Sequence, residues 1–154
     1  MTVKSRLLEL LEQHKGETLS GEDIGRELSC TRAAVWKAVN SLRQEGYPIE
    51  AGPNKGYMLA RESNLISAEG IRLFLKDPQV EIKIFDAISS TNLEARQLAV
   101  SGMAGHGSFV VAMEQTAGRG RRGREFYSPK GSGIYLSVIL EPKGTLEGSL
   151  LITT

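Results

Sequence analysis

The 154-residue sequence has a single cysteine, Cys30, so no disulfide can close within the chain and no cysteine-only metal site can form. That suits a reducing cytoplasm. It also lacks net charge of either sign: 19 basic against 18 acidic side chains leave +1 at pH 7, which excludes anion recognition by a generally basic protein. No apolar run approaches the length of a membrane span. The N-terminus, with Lys4, Arg6 and Glu9 on a helical pattern, is no secretory signal. A cytoplasmic, soluble protein without a membrane partner is the expectation. Hydrophobic residues at 40% and charged residues at 24% exclude a disordered chain. The length fits one ordinary domain or two small ones and does not decide between them.

Neutrality overall conceals local segregation. Residues 1–60 carry eight basic and eight acidic side chains, whereas residues 118–124 carry four arginines and no acid. In the first stretch, Val3, Leu7, Leu8, Leu10 and Leu11 form an apolar stripe at helical spacing, ended by Gly16. Ser20 is an N-cap for a second helix, Asp23 can complete a capping box, and Leu19 and Ile24 hold the two positions of a hydrophobic staple. Ser29-Cys30 makes a turn, and Thr31 caps a third helix running to about Glu45. There Val35, Val39 and Leu42 recur on one face, leaving Arg32, Ala33, Trp36, Lys37 and Asn40 nearer the outside. Residues 47–51 and 57–60 read as strands around the turn Gly52 to Gly56.

Three short helices and a hairpin are the plan of a winged helix-turn-helix. Its third helix can enter a major groove with Arg32 near base edges or phosphates, and Lys55 at the wing tip can follow the backbone or the minor groove. Ser20, Thr31, Arg32, Ala33, Trp36, Lys37, Asn40 and Lys55 are the candidate DNA-binding residues. Trp36 has two readings, packing against its own domain or touching DNA. The module as a whole also has two, since a winged helix with modest local charge can serve protein contacts instead of DNA.

Residues 61–66 are polar enough for a linker, placing a domain boundary after residue 62. Ser67 caps a short helix through Leu75, ended by Asp77-Pro78. Val80, Ile82 and Ile84 alternate as in a strand, Asn92 to Val100 is helical, and residues 108–113 and 133–140 are further strands. Alternating strands and helices imply an α/β layer.

Between the last two strands lies Gly118-Arg119-Gly120-Arg121-Arg122-Gly123-Arg124. Glycine allows close backbone approach, and the guanidinium fork suits carboxylate and phosphate. Such a loop can wrap an anionic, phosphate-bearing molecule, lie as a solvated basic loop, or bind nucleic acid as a general phosphate clamp. Upstream, Ser90, Thr91 and Asn92 stand at a helix start. They serve either as an N-cap or as hydroxyl and amide partners for a polar ligand.

The run from Glu114 to Arg124, preceded by Ser89-Ser90-Thr91-Asn92, resembles the signature of the biotin protein ligases. Thr31-Arg32-Ala33-Ala34-Val35-Trp36-Lys37 and the wing ending Gly56-Tyr57 resemble the recognition helix and wing of biotin operon repressors. The match therefore points to the bifunctional branch and covers the whole chain. The resemblance implies an α+β protein: residues 1–62 a winged helix-turn-helix, residues 63–154 the first part of a class II synthetase-like α/β catalytic domain, truncated. It implies Ser90, Thr91, Asn92, Gln115, Arg119, Gly120 and Arg121 as biotin- and adenylate-binding residues, and Gly118, Arg122, Gly123, Arg124 and Phe126 as loop-closing ones. Phe126 stands where family members often have tryptophan.

The implied chemistry is ATP-dependent activation of biotin to biotinyl-5′-adenylate and transfer to a lysine of the biotin carboxyl carrier protein of acetyl-CoA carboxylase. No residue serves as a covalent nucleophile. Mg2+ accompanies ATP, and no carboxylate cluster in the sequence is assigned to hold it. The adenylate-bound protein is implied to form a homodimer on biotin operator DNA. Family members continue past residue 154 with a lysine-tryptophan-proline-asparagine-aspartate stretch, a later adenylate-contacting lysine and a small barrel. The chain is accordingly expected to be either a fragment of a longer ligase or a truncated, catalytically inactive winged-helix regulator.

Overall fold

The computed structural model describes residues 2–52, 56–77, 79–120, 122 and 124–141. Its elements are α1 (Val3–Gln13), α2 (Gly21–Glu27), α3 (Arg32–Gln44), β1 (Ile49–Gly52), β2 (Gly56–Leu59), α4 (Ala68–Arg72), β3 (Ile82–Phe85), α5 (Thr91–Val100), β4 (Phe109–Ala112) and β5 (Tyr135–Val138). They gather into two units, Met1–Pro78 and Gln79–Thr154, each around its own apolar cluster, in a mixed α+β arrangement.

In the first unit the helix starts sit on the polar residues that mark them. Ser20 Oγ accepts from the Asp23 N–H at 3.0 Å, Thr31 Oγ1 from Ala34 at 3.2 Å and Ser67 Oγ from Gly70 at 2.9 Å. Each cap contributes about 1 kcal/mol. The capping box at Ser20 closes differently from the expectation. Asp23 Oδ2 accepts from the Ser20 hydroxyl at 2.7 Å, and its other oxygen takes Arg26 at 3.2 Å. Aspartate is one methylene shorter than the glutamate of the reciprocal box, and the nearby hydroxyl is the partner it meets.

The apolar stripes then find one another. Leu7, Leu8, Leu10 and Leu11 of α1 pack with Ile24 of α2, with Val35, Ala38, Val39 and Leu42 of α3, and with Ile49 and Leu59 of the hairpin. β1 and β2 pair antiparallel from Ile49↔Leu59 to Gly52↔Gly56. The first strand begins at Ile49 because Pro48 has no N–H to give a ladder. Leu19 and Tyr57 exchange backbone bonds of 2.9 and 2.8 Å, tying the hairpin to the segment between α1 and α2. At that crossing Gly56 has φ +85° and a Cβ would collide with the Leu19 carbonyl, so only glycine fits.

The segment expected as a linker is held within this unit. Ser67 Oγ donates to Glu12 Oε1 at 3.1 Å, and Lys15 Nζ donates to the Ser63 carbonyl at 2.7 Å while standing 3.6 Å from Glu12 Oε2. α4 thereby lies on α1, and the two units divide after it, later than a boundary at residue 62. α4 itself ends at Arg72 rather than Leu75.

The second unit is a three-stranded sheet of order β3-β4-β5. β3 and β4 run parallel, Ile82↔Phe109 to Phe85↔Ala112; β4 and β5 run antiparallel, Phe109↔Val138 to Ala112↔Tyr135. α5 makes the crossover between the parallel strands, and its Ala95 and Leu98 cluster with Val110, Ile139 and Ala104. β3 starts at Ile82 and β5 spans only Tyr135–Val138, both shorter than the sequence pattern suggests.

Candidate functional site

At the start of α5, Ser90 takes the N-cap position with extended backbone (φ −161°, ψ 130°), yet its side chain makes no capping bond. The helix start is satisfied from elsewhere. The Thr91 N–H donates to Gln115 Oε1 at 2.9 Å, and Thr91 Oγ1 lies 3.2 Å from the same oxygen. Because an N–H can only donate, the Gln115 atom facing α5 must be its oxygen. Its amide nitrogen donates to Ser128 Oγ at 3.1 Å, and Ser128 donates to the Phe126 carbonyl at 3.0 Å. On the other side Ser137 Oγ of β5 donates to Thr91 Oγ1 at 2.8 Å and stands 3.2 Å from Asn92 Oδ1. Thr91, Ser128 and Ser137 are 4%, 2% and 8% exposed. One buried polar chain therefore links β5, α5 and both ends of the arginine-glycine segment.

That segment folds as a hairpin. Gln115 N–H bonds the Ser128 carbonyl at 2.9 Å, Phe126 N–H the Gly118 carbonyl at 2.9 Å, and Gly120 N–H the Arg124 carbonyl at 2.8 Å. Its base is pinned to the strand end before α5 by Thr116 N–H on Ile88 and Ala117 N–H on Ser89, both 2.9 Å. Arg119 pairs with Glu125 between two of these rungs, so the N–H of each points away from the ladder. A Cβ at Gly118 would collide with the Phe126 carbonyl and come within 2.7 Å of Ser128 Oγ. Arg122 adopts φ +58°, a left-handed conformation that closes the turn.

Arg119, Arg122 and Arg124 are solvent-exposed, and among the described residues no carboxylate pairs with them. Phe126 is 54% exposed and meets Tyr135 edge to face, with ring centroids 6.5 Å apart. Asn92 is exposed and Gln115 half-buried. The structure thus joins Thr91 and Gln115 directly, brings in Asn92 through Ser137, and ties Gly118, Gly120, Arg124 and Phe126 to them through the hairpin. Arg121 and Gly123 lie outside the described residues. Ser128 and Ser137 were missed by sequence reasoning. The available signal was a polar residue, Ser137, interrupting the inward face of an otherwise apolar strand. Among the described residues no group of three His, Cys, Asp or Glu side chains could hold a metal ion.

In the first unit, α3 buries Val35, Ala38, Val39 and Leu42 and turns Arg32, Ala33, Trp36 and Lys37 outward, with Asn40 half-buried. Trp36 is 61% exposed, so it does not pack into its own core. Ser20 and Thr31 are exposed N-caps, and Lys55 lies outside the described residues. No helix among the described residues is long and apolar enough to cross a membrane.

Residues 3–58 match the HTH domain family, and residues 84–152 match the biotin/lipoate A/B protein ligase family. The bifunctional ligase/repressor BirA of Bacillus spizizenii is 41% identical over 154 residues, covering 99% of this chain and 47% of the relative. Over its whole length the chain is thus similar to bifunctional ligase/repressors, an HTH-family region being followed by a biotin/lipoate ligase-family region. BirA of Bacillus subtilis is 40% identical over the same shares, so the chain spans about half the length of the curated relatives it matches. A solved biotin protein ligase from Leishmania major, in complex with biotinyl-5-AMP, shares 40% identity over 36% of this chain and 22% of its own, with a TM-score of 0.30. The HTH match takes in α1 to the hairpin, and the ligase match takes in α5, Gln115 and the arginine-glycine hairpin.

Proposed function

We propose that the second unit binds biotin and ATP and forms biotinyl-5′-adenylate, for transfer to a lysine of a biotin carboxyl carrier protein, while the first unit binds biotin operator DNA. The observation that supports this most is the polar chain joining Thr91, Asn92 and Gln115 to a hairpin that carries unpaired arginines. A neutral, hydrogen-bonding polar chain tied to exposed guanidinium groups that no described carboxylate pairs suits a ligand with a ureido ring at one end and a carboxylate or phosphate at the other.

In the reaction the valerate carboxylate of biotin attacks the α-phosphate of ATP, forming the acyl-phosphate bond as pyrophosphate leaves. The carrier lysine amine then attacks the acyl carbon and AMP departs with the bonding pair. Ser90, Thr91, Asn92 and Gln115 hold the ureido ring. Arg119 and Gly120, with Arg121, face the carboxylate and phosphate and offset the charge gathered there. Gly118, Arg122, Gly123, Arg124 and Phe126 close over the ligand and exclude water from the labile adenylate. Magnesium arrives with the triphosphate; no described cluster fits it, and no step is assigned to a protein-held metal. The adenylate-bound chain pairs with a second copy, and Arg32, Trp36 and Lys37 of each copy face an operator half-site.

The test is biotin-dependent exchange of labelled pyrophosphate into ATP by the full chain. Exchange is expected, and Arg119→Ala should reduce it on the order of 10²-fold with unliganded DNA affinity intact. Operator binding without any exchange would make the chain a winged-helix regulator with no ligase activity, unless a longer form restores exchange, which would make it a fragment of a longer ligase. A uniform fall in nucleic-acid affinity in the variant would make the arginine hairpin a phosphate clamp.

A further inference from the structure

Hydroxyl groups differ from amides in one respect that matters for the buried chain: their single hydrogen can rotate from one neighbour to another. Ser137 Oγ has two such neighbours, Thr91 Oγ1 at 2.8 Å and Asn92 Oδ1 at 3.2 Å. Thr91 Oγ1 has two as well, Gln115 Oε1 at 3.2 Å and Ser137 Oγ. The remaining members have no such freedom. Gln115 is fixed by the Thr91 N–H on its oxygen and Ser128 on its nitrogen, and Ser128 is fixed by the Phe126 carbonyl.

Two self-consistent hydrogen arrangements follow. In one, Ser137 donates to Thr91 and Thr91 to Gln115, and both lone pairs of Gln115 Oε1 are occupied. In the other, Thr91 donates to Ser137 and Ser137 to Asn92 Oδ1, and one lone pair of Gln115 Oε1 becomes free. The exchange needs two hydroxyl rotations; no heavy atom moves and no covalent bond is broken, while the hydrogen bond from Thr91 to Gln115 is given up.

We propose that Ser137 is a positioning residue of the ligand site: by taking the Thr91 hydrogen and passing its own to Asn92, it frees the Gln115 carbonyl to accept a ureido N–H. The inference rests on the biotin reading given above. Ser137 itself is buried on β5 and need not touch the ligand. Asn92, at the exposed end, serves as the terminal acceptor.

The test uses the full chain with biotin and two isosteric analogues, each with one ureido N–H replaced by a ring oxygen. Ser137→Ala leaves Thr91 without an acceptor other than Gln115. It should weaken biotin about tenfold, the scale of one hydrogen bond, yet leave unchanged the affinity for the analogue lacking the N–H that Gln115 receives. Ser137→Thr restores the hydroxyl and should restore the affinity. Asn92→Leu, at an exposed position, removes the terminal acceptor and should erase the discrimination between analogues as Ser137→Ala does, even if the buried variants fold poorly. Equal losses for biotin and both analogues, or none, would overturn the relay while leaving the biotin reading intact. Failure of the unaltered chain to bind biotin would overturn the biotin reading and the relay together.

Discussion

Gly118 occupies a point where the hairpin has no room for a side chain. A methyl group there would press on the Phe126 carbonyl and on Ser128 Oγ, the atom that fixes the Gln115 amide. Gly118→Ala should therefore lower the stability of the second unit by about 1–3 kcal/mol, measured as a shift in urea midpoint. The glycines of the arginine run are visible in the sequence, but the reason for this one is not, because it depends on strand pairing across Gly118 and Phe126. The same holds for Ser128 and Ser137: serine is ordinary in sequence, and only the fold shows these two buried. Tyr47 supplies a second residue-scale expectation. Burial, then the carboxylates of Glu69, Glu12 and Glu45, push its hydroxyl above the ordinary 10.0, against a smaller opposing effect of its bond with Ser67. The folded state thus keeps a proton that the unfolded chain begins to lose at 10.0. That stability is complete below the unfolded value and declines as pH rises toward the folded one. Urea midpoints followed upward through this range should fall for the natural chain and stay flatter for Tyr47→Phe.

At the scale of elements, α4 is the instructive case. Ser67 is legible as an N-cap, and the cap forms. Its attachment to α1 is not legible, since it depends on Glu12 meeting Ser67 across 55 residues of chain and on Lys15 reaching the Ser63 carbonyl. Polar residues in a row read as solvated linker, whereas here the Ser63 carbonyl takes the Lys15 ammonium and Ser67, just after them, meets a nearly buried carboxylate. Glu12→Ala should destabilise the first unit by about 1–3 kcal/mol, because it removes the acceptor of the Ser67 hydroxyl and the counter-charge beside Lys15. Amide exchange should accelerate most over residues 67–72. By contrast α1 and α3 are legible almost to the residue: period-3.6 leucines and valines bury themselves wherever partners with the same period exist. β3 and β5 are overestimated at their starts, because apolar residues precede the first paired ones, Ile82 and Tyr135.

At the scale of the whole molecule, the near-neutral charge divides by task. The helix proposed to face DNA exposes Arg32 and Lys37, and the hairpin proposed to face phosphate exposes Arg119, Arg122 and Arg124. Lys37→Ala should weaken operator binding similarly across sequences and lower the slope of log affinity against log salt by about 1, read by titration at several salt concentrations. The hairpin arginines should leave that slope unaltered. Trp36 is the only tryptophan of the chain, stands largely in solvent, and belongs to the first unit alone. Its fluorescence is consequently a built-in, label-free reporter of the helix proposed to face DNA, expected to emit at long wavelength when free and to be quenched if a duplex covers it. Events in the second unit have no fluorophore of this kind. Any change in emission when biotin and ATP are added without DNA would be an optical signal that one unit senses the other.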